Sequence, residues 1–451
     1  MIKGMPRSRV WALVVVGAVV ALAAPSCVSP TARARQAEQR LQKAIKQLAA
    51  SGAPIKATQL AKPPVRDAEN AAPIYRKAFE AIHVTHDDRD FIVNLSRGRL
   101  SLADPAVAAR AERILKQNAA ALQLIHRAAA IPRCDFRLDW SKGAALELPQ
   151  FSKLRACAHL LELEAIMLAH QGRVDDALAV CGDSFGVVKA ADEPLLIGAL
   201  VQYSIIAITS RSLEQVLSGS QPSGSACRRL GTYVASIDLT RSLTAALTAE
   251  RAMDMSLFDQ ARASRDPVKF VWELSGQFGP KERPPKVPRN SWFVRWWLAS
   301  DELLYLELMD RAIADASLPY RRAGHAEDAL GDRVRTHRGI PAPLLTAILF
   351  PVYSRSHAAR DRAIATLGLI ETALLLKAYR AEHGGYPQSL QQLSGIAGHP
   401  LPVDPFSGKP FVYHREGAGF VIYSWGPNLK NDGGKVGTIA DEGDIVMKCS
   451  R

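Results

Sequence analysis

The stretch LPVDPFSGKPFVYHREGAGFVIYSWGPNLKNDGG, residues 401–434, decides the fold, because there a chain of helical pattern changes its period. Leu401 to Pro410 is a dense turn signal. Two short alternating runs follow, Phe411 to His414 and Phe420 to Ser424, and alternation with period two marks half-buried strands. Arg415-Glu416-Gly417-Ala418-Gly419 between them has the length and composition of a five-residue hairpin loop. Upstream, Ala358 to Glu382 reads as one helix, with Ile364, Leu367, Ile370, Leu374, Leu375 and Ala378 at spacings of three and four. His383-Gly384-Gly385 ends it. Tyr386-Pro387 then starts an extended segment, since a residue before proline is pushed out of the α region. The expectation is a helix laid against a small antiparallel sheet.

After the second run, residues 425–444 are rich in glycine and in oxygen-bearing side chains, among them Asn428, Asp432, Asp441, Glu442 and Asp444. Hard cations such as calcium take about six to eight oxygens. The ordered segments AYRAEHGGYP, LPVDPFSGKPFVY, GFVIYSWGPN and DEGDI resemble the C-terminal domain of the major pseudopilins of type II secretion. The resemblance covers some seventy of the 451 residues. It implies a calcium loop holding Asn428 and Asp444, with Asp432 and Asp441 nearby. Two positions depart from the family: Asn428 stands where an Asp is usual, and Val446-Met447 replace the Ser that follows DI. Both departures remove oxygens.

The N-terminus carries Lys3, Arg7 and Arg9, then the apolar run Val10 to Ala24, then Pro25-Ser26-Cys27. A charged start, an apolar run and small residues form a secretory signal. Ala24-Pro25-Ser26-Cys27 resembles a bacterial lipobox, which implies lipid on Cys27. The start is no prepilin leader, because the fifth residue after Gly4 is Arg9 rather than Glu. The expected location is therefore the cell envelope, exported and membrane-anchored through the N-terminus, in the periplasm or on the envelope side. Cleavage before Cys27 removes three basic residues and lowers the net charge from +13 to +10. That surplus fits anionic envelope surfaces or solubility, and an exported chain has no nucleic acid as a partner. Six cysteines (Cys27, Cys134, Cys157, Cys181, Cys227 and Cys449) show no CxxC spacing, which argues against a zinc ribbon or a dithiol site.

Length and a hydrophobic content of 48% supply a sizeable core and two or three domains. Residues 1–27 are the signal, and 28–65 a charged helical spacer and linker. Residues 66–355 are a large all-helical domain, and 356–451 a small α+β domain, so the fold class is mainly α. Ala106 to Ala130, Leu154 to His170, Val174 to Ala190 and Pro194 to Leu217 are representative helices. Asp67 to Tyr75 opens another, with its acids at the N-terminus. Asp266 to Arg289, with five prolines, reads as a loop. Ser291 to Trp297 begins a helix whose aromatics read as core. ENAAPIY at 69–75, CDFRLDW at 134–140 and the LPQFSKLRACAHLLELEA that follows resemble a family of uncharacterised exported bacterial proteins that often end in the same tail. Leu161 to Val188 resembles one tetratricopeptide hairpin without a second copy, so an ordinary helical hairpin is expected.

Three patterns bear on chemistry. Gly182-Asp183-Ser184-Phe185-Gly186 matches GxSxG, but a serine elbow needs an entering strand and this segment reads as helix. His83-Val84-Thr85-His86-Asp87-Asp88 would place two imidazoles on one helical face, a start for a transition-metal site. No Walker loop, HExxH or dinucleotide fingerprint occurs. The composite expectation is a non-enzymatic, envelope-attached binding or structural protein meeting a protein partner on its helical surface. The alternatives are an enzyme with a pocket among the helices and an accessory to a secretion or pilus-like system.

Overall fold

The computed structural model describes residues 29–276, 291–335, 343–350, 356–437 and 443–450. Cys27, Asp441 and Glu442 lie outside these residues. The fold is mainly α, with a three-stranded antiparallel sheet near the C-terminus.

Among the described residues up to Gly276 there are eleven α-helices: α1 Pro30–Ala50, α2 Ala72–Ala81, α3 His86–Ser96, α4 Pro105–Gln117, α5 Ala119–Ala129, α6 Pro149–His170, α7 Val174–Ala190, α8 Leu196–Leu217, α9 Gly224–Ala235, α10 Ser242–Ala263 and α11 Pro267–Gly276. Then come α12 Trp292–Asp315, α13 Tyr320–Arg335, α14 Leu344–Leu349 and α15 Ser356–His383, with strands β1 Val412–Glu416, β2 Gly419–Ser424 and β3 Ile445–Cys449.

The run expected from Ala106 to Ala130 is two helices broken at Asn118. That buried side chain accepts from the His83 amide at 2.7 Å and donates to the His83 carbonyl at 3.1 Å and the Ile114 carbonyl at 2.9 Å. Holding a neighbouring chain in this way satisfies both polar ends of the amide, and the helix axis yields. The acids at 67–69 form a single 3-10 turn rather than opening α2. The start of the proline-rich stretch is also helical: Pro267 occupies the first position of α11, where its missing N–H costs nothing. Asp266 caps that helix by accepting from the Lys269 amide at 3.0 Å. Helix α1 packs along α12 through buried Ala34, Ala37 and Leu41, and Arg295 donates to both carboxylate oxygens of Glu38.

The helix read from one apolar stripe is enclosed on all sides. Every residue of α15 from Leu367 to Ala378 is buried, Glu371 and Lys377 included, because α15 packs along α8 and α9 and also carries β2 and β3. The Lys377 ammonium donates to the Ser220 carbonyl at 2.9 Å. Among the described residues, the main hydrophobic core joins residues from Ala37 to Cys449, and a smaller one gathers Ala57, Trp140, Leu195, Ala249 and Met253. Phe411 meets α15 at Gly368, where a Cβ would stand 2.7 Å from the ring.

The hairpin is tighter than the sequence suggested. Glu416 pairs with Gly419, so only Gly417 and Ala418 form the turn, with Gly417 at φ 57°. Residues 415, 416 and 419 belong to the strands. The third strand, β3, pairs with β2 from Phe420–Cys449 to Ser424–Ile445, in a segment where no strand was expected. Central strand β2 is buried on both faces: Phe420 and Ile422 are fully covered, while Tyr423 lies under the loop that follows, its hydroxyl donating to Asn431 Oδ1 at 3.1 Å.

Candidate functional site

The C-terminal loop brings three of its four candidate ligands together. Asn428 Nδ2 donates to Asp432 Oδ2 at 2.7 Å. Asp444 accepts from the Asp432 amide at 3.3 Å and from the Gly434 amide at 2.7 Å, one on each oxygen. Burial raises the Asp444 carboxyl above its usual range, and the charges of Asp432 and Asp404 add to this against the lowering by the two amides. The chemistry of the donors suits a hard cation, since side-chain oxygens dominate and the negative charges crowd one another. The described set is short of calcium's usual number, and Asp444 already has an amide on each oxygen. Among the described residues, no three His, Cys, Asp or Glu side chains are grouped to hold a metal ion. Asp404 anchors the neighbouring turn: its carboxylate, 1% exposed, accepts from the amides of Phe406, Ser407 and Trp425 and from the Ser424 hydroxyl at 2.7 to 3.3 Å.

The GxSxG match lies wholly inside α7, and Ser184 is buried at 3% exposure, so no strand enters and no elbow forms. Its second glycine serves helix packing. A Cβ at Gly186 would stand 2.6 Å from the Ala129 carbonyl oxygen at the end of α5. Asp183 of the same motif holds His126, whose Nδ1 is 2.7 Å away, while Glu164 on α6 is 2.9 Å from Nε2. Hydrogen bonds to these two carboxylates push the imidazole up to about 10 against the opposing effect of burial.

The histidine pair does not share a face. His83 precedes α3, and His86 is its first residue, exposed and 4.0 Å from Asp90. Thr85 and Asp88 form a reciprocal capping box, a structural reason for this spacing. Cys134, Cys157, Cys181, Cys227 and Cys449 are free thiols, and burial pushes the Cys134 and Cys181 thiols up to about 12.

A different site forms where two of the quoted segments meet. Asn70 of ENAAPIY, 2% exposed, accepts from the Asp135 amide at 2.8 Å and donates to its carbonyl at 2.9 Å, which ties CDFRLDW to the entrance of α2. The Asp135 carboxylate accepts from the amides of Val65 and Arg137. Arg137 is held at φ 54°, an unusual conformation for a side-chain-bearing residue. This strap and the linker at Lys62 to Val65 wall a cleft of about 920 Å³, completed by the end of α7, by Gln202 of α8 and by the turn from α9 into α10.

Glu193 sits in that cleft at 8% exposure. Pro194 forbids continuation of α7, and two hydrogen bonds of two-residue span, Glu193 N–H to the Ala191 carbonyl at 2.8 Å and Leu195 N–H to the Glu193 carbonyl at 2.7 Å, turn the chain sharply there. Burial raises the Glu193 carboxyl to about 7, with Asp135 and Asp192 adding and Lys62 opposing. Lys62 Nζ lies 3.7 Å from Glu193 Oε2 and donates to the Asp192 carbonyl at 3.0 Å. None of these residues forms a local motif. The available signal was an acid pair before proline at a helix end.

Compared with family models, with curated proteins and with solved structures, the chain finds no match in any of the three.

Proposed function

We propose that the protein is a non-enzymatic, envelope-attached binding protein that takes a small polar ligand in the cleft around Glu193. The observation that carries this reading is the cleft itself: about 920 Å³, within the usual range for small-molecule sites, with a wall held by the buried Asn70 amide and the strained Arg137. Attachment rests on the apolar run Val10 to Ala24 and on Cys27. The test is thermal unfolding of the full-length protein in detergent against amines, carboxylates, amino acids and sugars. The parent is expected to gain stability with at least one class. Ala245→Trp, an exposed position lining the cleft, should abolish the gain. Failure of every class in the parent would overturn the reading. Cys27→Ser should release the protein from the membrane fraction.

An enzyme is the alternative that one observation favours, since a buried carboxyl at about 7 in a cleft suits proton transfer near neutrality. Catalysis would then require Glu193, and Glu193→Gln would abolish turnover of whichever ligand stabilises the cleft.

A calcium ion ordering the C-terminal loop is an additional proposal, supported by the crowding of Asp404, Asp432 and Asp444. Asn428, Asp432 and Asp444 would hold it together with Asp441, and it would neutralise that charge. Millimolar calcium should raise the unfolding temperature in the parent and not in Asp444→Ala. An equal rise in both would remove the loop as its site.

A further inference from the structure

The cleft already contains an ammonium group. Lys62 Nζ stands between a backbone carbonyl, that of Asp192 at 3.0 Å, and a carboxylate, that of Glu193 at 3.7 Å. Its side chain is 54% exposed and projects from a linker in which Pro63 and Pro64 follow directly, whereas Glu193 is held inside. The acceptors are therefore fixed and the donor is the part that can leave. Two helices, α7 and α9, also end at this cleft, and the carbonyl end of a helix carries partial negative charge that favours cations.

We propose that this is a receptor for a primary amine: a small amine-bearing molecule places its ammonium between the Asp192 carbonyl and the Glu193 carboxylate, displacing Lys62. The inference rests on the cleft reading above and adds the ligand's chemical class. Asp135 is satisfied by backbone amides and Asp238 by Thr240, and Asp192 is exposed, so Glu193 is the buried acid left for a ligand. Lys189 lies over the Tyr233 ring at 4.3 Å, and Arg133 pairs with Glu69 outside the cleft. Arg241, at the turn into α10, is the remaining cation of the lining and would meet a second, acidic end of the ligand.

The experiment is calorimetric titration of full-length protein in detergent with 1,4-diaminobutane, and with butane-1,4-diol and succinate as neutral and anionic partners of the same length. Diaminobutane should bind and the other two should not. Its affinity should rise about tenfold from pH 6 to pH 8, as a carboxyl titrating at about 7 loses its proton. Lys62 and Asp135 face that carboxyl from the linker and the strap, Lys189 and Asp192 from the end of α7 and the turn after it, and Asp238 and Arg241 from the turn into α10. Glu193→Gln should weaken binding at least tenfold. Lys62→Met, at an exposed position that leaves folding intact, should tighten it by removing the internal competitor. Equal binding of diol and diamine, or diamine binding that neither substitution changes, overturns the amine. Succinate or diol binding that Ala245→Trp abolishes would overturn the amine and leave the cleft reading standing. Binding of none of the three, with no class stabilising the parent, would overturn both.

Discussion

Two glycines of a single five-residue motif should respond in opposite directions to the same substitution. At Gly182 a Cβ would meet only Leu230 Cδ1, at 3.7 Å, which is ordinary contact. Ala there removes the glycine penalty of about 1 kcal/mol in a helix interior, so Gly182→Ala should stabilise by up to that amount. At Gly186 the new Cβ would lie 2.6 Å from the Ala129 carbonyl oxygen, 2.8 Å from its Cβ and 2.9 Å from its Cα. These are mostly backbone atoms at the end of α5, so relief requires α5 and α7 to separate rather than a side chain to rotate. Overpacking of this kind costs about 1–3 kcal/mol. Set against the same helical gain, Gly186→Ala should be net destabilising by up to about 2 kcal/mol. The two variants should therefore differ by about 1–3 kcal/mol in urea unfolding followed by circular dichroism, with parent stability between them. If Gly186→Ala matched or exceeded the parent, the close approach of α5 and α7 would be wrong. So would the reading of this motif as packing. A fluorophosphonate reagent should also leave Ser184 unlabelled.

The His126 bridge gives a pH-dependent prediction. Its folded value of about 10 lies above the unfolded 6.5, so its stabilisation is complete below about pH 6.5 and lost as pH rises through 10. His126→Asn should cost about 1–2 kcal/mol at pH 6 after allowing for solvent screening at this part-exposed site, and almost nothing at pH 10.5; a constant difference across that range would refute the charged bridge. For Glu193 the folded value of about 7 lies above the ordinary 4.5, so the penalty for ionising it is absent below about pH 4.5 and complete above 7. Glu193→Gln should accordingly gain about 1–3 kcal/mol over the parent at pH 8 and none at pH 4.5, read from denaturant midpoints. Asp404→Ala leaves three amides and a hydroxyl without their acceptor in a buried turn, and should lower stability by about 3 kcal/mol or more. Gly368→Ala should weaken the seat of Phe411 on α15, raising amide exchange in β1 and β2 before it affects α6 to α8.

Elements with their own periodic signal were legible in the sequence. The helix observed from Ser356 to His383 follows from apolar spacing and a glycine stop, and the first two strands follow from alternation. Where one residue serves a distant partner, local reading failed. Asn118 breaks a helical pattern because its amide holds His83, 35 positions away. Pro267 was read as a breaker although it is well placed at a first helical position. The strand Ile445 to Cys449 has no clean alternation to announce it, since Ile445, Val446 and Met447 are all apolar, and it exists because β2 has a free edge beside it.

The cleft is the extreme case of the same principle. Its amine-binding geometry needs Lys62 from a linker, Asp135 from a strap, Asp192 and Glu193 from a helix end, and a turn near Ser242, each unremarkable in its own segment. Only the Asn70 bridge to Asp135 and the turn before Pro194 bring them within reach. Burial then does what sequence cannot encode locally, raising an ordinary glutamate into the neutral range. In each short pattern associated with chemistry some residues have instead a structural role, Gly186 of GxSxG in helix packing and Thr85 and Asp88, beside the paired histidines, in capping. In a chain built almost wholly of helices, three-residue and four-residue spacings recur for packing reasons. Such spacings are therefore weak evidence for catalysis here, and a buried carboxyl facing a cavity is the stronger pointer to function.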